Sequence, residues 1–330
     1  MTPRRVLVAH NRVDIDDDPS TRDVLAQVEW VVSGLEALGL EHETLSIAEP
    51  ESLAELGPPR GTVVFNLVES PPGRPRFQVE VAMAWEKLGV PFTGSGSAAI
   101  WLTTDKLETR QRMTDAGLAV APGTELDPDA PEDLDRVPPP WILKPAREDA
   151  SLGLEDGAVT SDPVAASRRA RSLVARFGPP VLAEHLLPGR EFNLSVLAGP
   201  DGPQVLPAAE MVYVDFPENM PRVLGFQAKW HDDSFASRHT VRRFVTAEGE
   251  DRELVRTLRR IAGTAWEVSG VAGYARVDLR LDERGEPCVL EVNANPCLSG
   301  DAGFVAAAAE AGLDAGEVVR RVLAEAGGME

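Results

Sequence analysis

The segment Tyr274–Asn295 reads YARVDLRLDERGEPCVLEVNAN. Side chains alternate faces along a strand. In Arg276–Leu281, residues Arg276, Asp278 and Arg280 share one face, and Val277, Leu279 and Leu281 the other. In Cys288–Val292 and the residue after it, Glu291 and Asn293 lie opposite Leu290 and Val292. A hairpin across Glu283-Arg284-Gly285-Glu286, turning on Arg284-Gly285, sets Asp278 against Glu291 and Arg276 against Asn293. Two carboxylates, an amide and a guanidinium then converge on one patch. Such oxygen ligands suit Mg²⁺, which keeps waters and completes its shell with substrate phosphate. The same residues also fit a solvated amphipathic hairpin with a cross-strand ion pair. Asn293-Ala294-Asn295-Pro296 carries polar residues off the strand end into a turn and favours the metal reading.

Working outward, the first third alternates strand and helix signals. Val6–Ala9, Thr44–Ile47 and Val63–Leu67 read as strands. Asp23–Leu38 reads as a helix stopped by Gly39, and Phe77–Leu88 as one stopped by Gly89. That β-α-β order predicts a small parallel sheet. Gly94-Ser95-Gly96-Ser97 opens another helix, and Thr104 is placed to cap a helix over Asp105–Ala116. Leu126–Pro140 is a Pro- and Asp-rich surface loop. Trp141–Lys144 and Val181–Glu184 read as strands around a helix over Pro163–Phe177. Strands follow at Glu191–Leu197, Val205–Ala208 and Glu210–Val214. Met220–Thr240 is polar and irregular, an active-site loop by its length. Helices are expected over Glu250–Val268 and through Ala302–Gly327.

Composition narrows the function. The 330 residues, 43% hydrophobic and 26% charged, predict two or three soluble subdomains. A net charge of −20 argues against nucleic-acid or anionic-membrane partners, which call for a basic face. Two cysteines, Cys288 and Cys297, exclude a disulfide scaffold, and the short apolar run at the N-terminus is no signal peptide. A cytoplasmic location is the expectation. Only four of the 33 basic residues are lysine: Lys87, Lys106, Lys144 and Lys229. A chain that uses arginine almost everywhere retains lysine either by codon bias or where a compact ammonium is needed.

Together these motifs resemble the ATP-grasp superfamily, and specifically D-alanine–D-alanine ligases and their relatives, over about Gly94–Ser299. Asp105-Lys106 is similar to the Asp-Lys pair at the head of the central helix. WILKPAREDASLGL (Trp141–Leu154) resembles the lysine strand and mobile phosphate loop. EHLLPGREFNLSV (Glu184–Val196) resembles the adenine hinge and ribose glutamate. Ala228-Lys229-Trp230 resembles the closing-loop lysine, and Arg276-Val277-Asp278 with Glu291-Val292-Asn293 the metal strands. Three of the four lysines fall on these positions, which gives lysine scarcity a physical meaning.

The resemblance implies an α/β and α+β ATP-grasp fold. It would comprise a Rossmann-like domain over 1–96, a small central domain over 97–187 and a C-terminal domain with the metal site over 188–330. It implies an ADP-forming ligase that joins a carboxylate to an amine, such as two amino acids, through an acyl phosphate. Lys106 and Lys144 would contact the nucleotide phosphates, and Ser151 with its loop amides would cover them. Glu184, His185, Leu187 and Leu290 would line the adenine site, and Glu191 would take the ribose. Lys229 would approach the γ-phosphate. Asp278, Glu291 and Asn293 would hold two Mg²⁺ ions, Mn²⁺ being a possible substitute, and Arg276 would stabilise developing charge. A homodimer is implied on the same ground.

The chain also departs from its relatives. Where they carry a glycine-rich stretch with a substrate-orienting glutamate, this chain reads His10-Asn11-Arg12-Val13-Asp14-Ile15-Asp16-Asp17-Asp18. An aspartate there either substitutes or belongs to a solvated acidic loop. Asp149-Ala150-Ser151 replaces a glycine and serine pair. Cys297, Asp301 and Ala302 stand where relatives bind the second substrate with a glycine and a serine, so an acceptor other than plain D-alanine is expected. Two further readings stay open: a true D-alanine–D-alanine ligase, and an ATP-binding scaffold without chemistry. A dinucleotide fingerprint at Gly94-Ser95-Gly96 is a weak match. The five histidines show no paired metal spacing.

Overall fold

The computed structural model describes residues 5–56, 61–155, 157–226, 229, 233–246 and 248–327. Ala228, Trp230 and His231, which flank Lys229, lie outside them. Strand β1 (Arg5–Asn11) is followed by helix α1 (Val24–Ala37), β2 (His42–Ile47), β3 (Thr62–Asn66) and α2 (Phe77–Leu88). The three strands form a parallel sheet in the order β2-β1-β3. β1 is apolar on both faces because both are covered: Val6 and Val8 pack toward α1, while Ala9 joins Phe77, Val81 and Trp85 of α2. Gly89 ends α2 in the left-handed conformation (φ 65°), where a Cβ would be strained.

Helix α3 (Ser97–Thr104) leads into α4 (Lys106–Asp115). The cap between them is Asp105, not Thr104. Thr104 still belongs to α3, whereas the extended Asp105 accepts hydrogen bonds from the backbone N–H of Leu107 (3.0 Å) and Glu108 (3.2 Å). A second sheet holds β4 (Gly123–Glu125), β5 (Trp141–Pro145), β6 (Val159–Thr160) and β7 (Val181–His185) in the antiparallel order β4-β7-β5-β6. Helix α5 (Pro163–Phe177), capped by Asp162, lays Ala166, Ala170 and Leu173 onto Trp141, Leu143, Val181 and Ala183.

The third and largest sheet carries the hairpin. It contains β8 (Glu191–Leu197), β9 (Gln204–Val205), β10 (Ala208–Tyr213), β11 (Thr240–Val245), β12 (Tyr274–Leu281) and β13 (Pro287–Asn293). The order is β11-β10-β8-β12-β13, with β9 on β8. Three expectations shift here. The strand expected over Val205–Ala208 breaks near Pro207, which has no N–H to donate to a ladder. The loop expected through Thr240 instead forms a short helix, α6 (Phe235–His239), and its last residue opens β11. Arg242 and Arg243 disguised that strand, which gains its partners from β10. The hairpin turn holds three residues rather than two, since Asp282 pairs with Glu286 (N–H to O, 2.9 Å). A bulge between Val289 and Glu291 then restores the register. Asp278 therefore lies opposite Glu291, and Arg276 opposite Asn293, as the alternation predicted.

Helix α7 (Arg252–Ser269) covers this sheet, setting Leu258, Ile261, Ala262 and Ala265 among Phe192, Leu194, Val277 and Leu279. The chain continues through α8 (Gly303–Glu310) to α9 (Ala315–Glu325), which returns to α1 and buries Val318, Val319, Val322 and Leu323 with Val31 and Leu35. The two helices approach at Gly34, where a Cβ would lie 2.7 Å from Val319 Cγ2 and 2.8 Å from the Ala315 carbonyl oxygen. A Gly34→Val variant should lose about 1–3 kcal/mol of stability through overpacking, read as a lower denaturant midpoint. An unchanged midpoint would show that this helix pair yields freely.

Candidate active site

A cleft of ≈ 500 Å³ opens between the second and third sheets. One wall is the polar face of β12 and β13. Asp278 is buried and sits in register with Glu291 on one side and Asn193 on the other. It accepts hydrogen bonds from Asn193 Nδ2 (2.8 Å), from Arg276 Nε and Nη2 (2.7 Å each) and from Asn293 Nδ2 (3.3 Å). Asn293 Nδ2 also donates to Glu291 Oε1 at 3.2 Å. Burial pushes the Asp278 carboxyl above the ordinary range; Arg276 opposes this and Glu291 adds to it. Burial pushes Glu291 the same way, but Lys106, Arg276 and Lys144 outweigh it and hold the group down to about 2.

Those lysines come from the facing elements. Lys106 begins α4 and donates from Nζ to the Glu148 backbone oxygen (2.5 Å), with Asp149 Oδ1 at 3.7 Å. Lys144 on β5 pairs with Glu184 on β7, and the other oxygen of Glu184 pairs with Arg110. Arg110 lies one helical turn beyond Lys106, an i,i+4 signal that the sequence reading passed over. Three elements thus fix one buried carboxylate at the mouth of the nucleotide-sized cleft. His185 lines the cleft too, with ring nitrogens bonded to the Pro138 carbonyl oxygen (2.9 Å) and Glu283 Oε1 (2.7 Å).

Past Glu184 the lining turns apolar, with Ile142, Leu186, Leu187, Met211 and Leu290. The hairpin bulge places Leu290 on this wall beside Glu291. Glu191 stands where the apolar slot meets the polar floor. Its carboxylate accepts from Tyr213 Oη (2.8 Å) and Arg280 Nη1 (3.2 Å). Tyr213 and Asn193 were not singled out in the sequence, because their contacts are cross-strand and depend on register.

Two mobile-looking sequence segments meet over the cleft. Ala150 and Ser151 adopt positive φ (56° and 61°), strained for residues with a Cβ. Ser151 Oγ donates to the Leu224 carbonyl oxygen (3.1 Å), and Phe226 N–H to the Leu154 carbonyl oxygen (3.2 Å). Lys229 lines both the cleft and a smaller recess beyond Arg276.

That recess, ≈ 80 Å³, is lined by Asp23, Glu69, Asn295 and Cys297 among others. The acidic run at Asp14–Asp18 lines neither space. Asp14 pairs with Arg12, Asp17 accepts from the Asp14 N–H, and Asp18 caps a short helix. The recess draws its carboxylates from Asp23, at the start of α1, and Glu69, after β3, which sequence reasoning missed because 45 intervening residues bring them together only in the fold. Gln27 Nε2 donates to Glu69 (2.8 Å) and, more weakly, to Asp23 (3.4 Å). Cys297 donates from Sγ to Asp23 (2.8 Å), and burial and this carboxylate push its thiol well above the usual range. Ala302 starts α8 without a side-chain cap.

The family's sequence model described as D-ala D-ala ligase C-terminus matches residues 125–324. The chain belongs to the D-alanine–D-alanine ligase family. It is thereby an ATP-dependent carboxylate–amine ligase of the ADP-forming type. It is similar to the uncharacterized protein y4sG of Sinorhizobium fredii, 32% identical over 79% of this chain and 73% of that one. It is also similar to the D-alanine–D-alanine ligase of Chromohalobacter salexigens, 30% identical over 89% and 84%. The crystal structure of the Bacillus anthracis D-alanine–D-alanine ligase complexed with ATP superposes with a TM-score of 0.77, at 18% identity, over 99% of this chain and 97% of that one. The ATP-grasp fold follows from that likeness. No described helix is long and apolar enough to cross a membrane.

The ligase chemistry calls for a divalent cation, and the donor set fits one. Among the described residues no three of His, Cys, Asp and Glu cluster as a metal site. The floor instead offers two carboxylates and an amide, a sparse set of hard oxygens that leaves positions for phosphate and water.

Two outcomes are expected. If Lys144 contacts the nucleotide phosphates, as the resemblance implies, Lys144→Ala should weaken ATP binding roughly tenfold or more, and Glu184 is left with Arg110; calorimetry reads this directly. Burial, with help from Asp23, raises the Glu69 carboxyl to about 7 in the folded chain. The folded state therefore holds a proton that the unfolded chain has released above its ordinary value, and stability falls as pH rises from about 4.5 to about 7. Glu69→Gln should remove that loss. Its midpoint relative to the parent should rise between pH 5 and pH 8 by an amount on the order of 1 kcal/mol. A difference independent of pH would rule the effect out.

Proposed function

We propose that the chain joins an amino acid, as carboxylate donor, to an amine-bearing acceptor other than D-alanine. The observation that carries this reading is the hydrogen-bonded group of Arg276, Asp278, Glu291 and Asn293, with Asp278 buried, which lines one ≈ 500 Å³ cleft together with Lys106 and Lys144. In this reading Lys106, Lys144 and Lys229 hold the triphosphate. Glu184 and His185 sit at the edge of the base with the Leu187 backbone pairing to it, Leu290 lines the same pocket, and Glu191 takes the ribose. Asp278, Glu291 and Asn293 hold two Mg²⁺ ions, which when bound neutralise the transferring phosphoryl group. Asp23 and Glu69 face the donor's ammonium, leaving its carboxylate toward Arg276.

A carboxylate resists amines because its carbonyl is electron-rich and would have to expel oxide. The donor oxygen therefore attacks the γ-phosphorus, and ADP departs. The amine nitrogen then attacks the acyl carbon, inorganic phosphate leaves, and the amine proton passes to solvent. Arg276 stabilises the negative charge that builds in both steps. Ser151 and its loop, joined to the Leu224 segment, exclude the water that would hydrolyse the acyl phosphate. Assembly as a homodimer belongs to the same proposal and is read by sedimentation.

Glu291→Ala should cut turnover by at least about a hundredfold, in line with loss of electrostatic stabilisation, while the folded spectrum is retained. Product formation at the parental rate would remove the metal assignment. With ATP and D-alanine alone, the protein should release little ADP, and rapid D-alanyl-D-alanine synthesis would overturn the acceptor reading.

A further inference from the structure

The cleft is lined by three arginines, and two of them are neutralised. Arg276 pairs with Asp278 (2.7 Å) and Arg280 with Glu191 (3.2 Å). The third, Arg242, has no carboxylate within 4.0 Å among the described residues. Its hydrogen bonds are two long contacts to the Asp301 backbone oxygen (3.3 and 3.4 Å). This is unusual in a chain with 53 acidic and 33 basic side chains. Its neighbour Arg243 shows the ordinary solution, pairing with Glu210 (2.6 Å) on the opposite face of β11. Strand alternation sends Thr240 and Arg242 into the cleft, in register with Tyr213 and Met211.

Burial costs the Arg242 guanidinium hydration and Arg276 repels it, Asp301 attracts it only from beyond 4.0 Å, and an anionic ligand would offset the remaining cost. Its planar fork matches a carboxylate with two parallel hydrogen bonds. Its position selects which substrate is read. Arg242 stands beside Asp301, Ala302 and Gly303, and a Cβ on Gly303 would lie 3.7 Å from Nη2. Lys106 and Lys144 belong to the facing elements, Lys229 lines the ≈ 80 Å³ recess as well as the cleft, and that recess does not include Arg242 in its lining. This end of the cleft is therefore left for the acceptor.

We propose that Arg242 determines acceptor specificity by binding the carboxylate of the amine-bearing substrate. The acceptor is then an amino acid or a short peptide with a free carboxylate, not a simple amine. The inference rests on the ligase reading above and is tested separately from it. Hydroxylamine traps an acyl phosphate as a hydroxamate and carries no carboxylate. The first measurement is hydroxamate formation by the parental protein with ATP, Mg²⁺ and each of the common amino acids and D-alanine as donor. Absence of hydroxamate with every donor would sink the ligase reading, and this inference with it.

With a donor so identified, each amino acid is compared with its amide as acceptor by mass detection of product. The parent should prefer the acid at least roughly tenfold, the scale of one charge-assisted contact. Arg242→Ala should collapse that preference by raising KM for the acid, with KM for ATP unmoved, and Arg242→Lys should restore part of it. Three results would overturn the proposal: amides used as well as acids by the parent, an acid-to-amide ratio unaltered in Arg242→Ala, or hydroxamate formation with no carboxylate-bearing amine accepted.

Discussion

Two carboxylates on adjacent strands, Asp278 and Glu291, repel each other and lose hydration when buried, so they persist there only with cations close by. Arg276 supplies one from the same strand, bonded to both Asp278 oxygens. Lys106 and Lys144 act on Glu291 from α4 and β5, elements of the opposite wall. The floor of the third sheet and the wall of the second are thus electrostatic complements. The same logic repeats at Glu184, a fully buried acid held between Lys144 and Arg110. Under the proposed function, a nucleotide triphosphate and its cation would extend this pattern, with negative oxygens toward the lysines and positive charge toward the carboxylates.

Closure follows from local backbone choices. Ala150 and Ser151 occupy a region of conformational space that costs L-residues roughly 1–3 kcal/mol each. Two hydrogen bonds to the Leu224–Phe226 segment accompany that conformation. The same loop is held by Lys106 Nζ on the Glu148 carbonyl oxygen and by Arg169 Nη2 on that of Gly153 (2.7 Å).

The far end of the cleft has a different character from the nucleotide end. Asp23 and Glu69 share Gln27, and Cys297 and Ser299 extend the hydrogen-bonded chain to Asp301. Two of these links, Gln27 to Glu69 and Cys297 to Asp23, join segments distant in the chain, and Arg242 stands nearby on an edge strand. Under the proposed function, substrate choice depends on how the first sheet and α8 pack against the third sheet, and phosphoryl transfer on the hairpin and the lysines.

The alternation of Arg276, Asp278 and Arg280 against Val277 and Leu279 set the three polar side chains on one face without any tertiary information, because successive side chains of a strand point to opposite faces. The scarcity of lysine drew attention to Lys106 and Lys144, both of which line the cleft. Register was legible only by cancellation: the turn is one residue longer than expected and the bulge at Leu290 takes that residue back. Asn193, Tyr213 and Arg110 were invisible because each acts through a partner on another strand or helix. Asp23, Glu69 and Arg242 were decided by tertiary structure alone. Nothing local in sequence distinguishes them, and only the packing of separate elements determines which charges face the cleft and which face water.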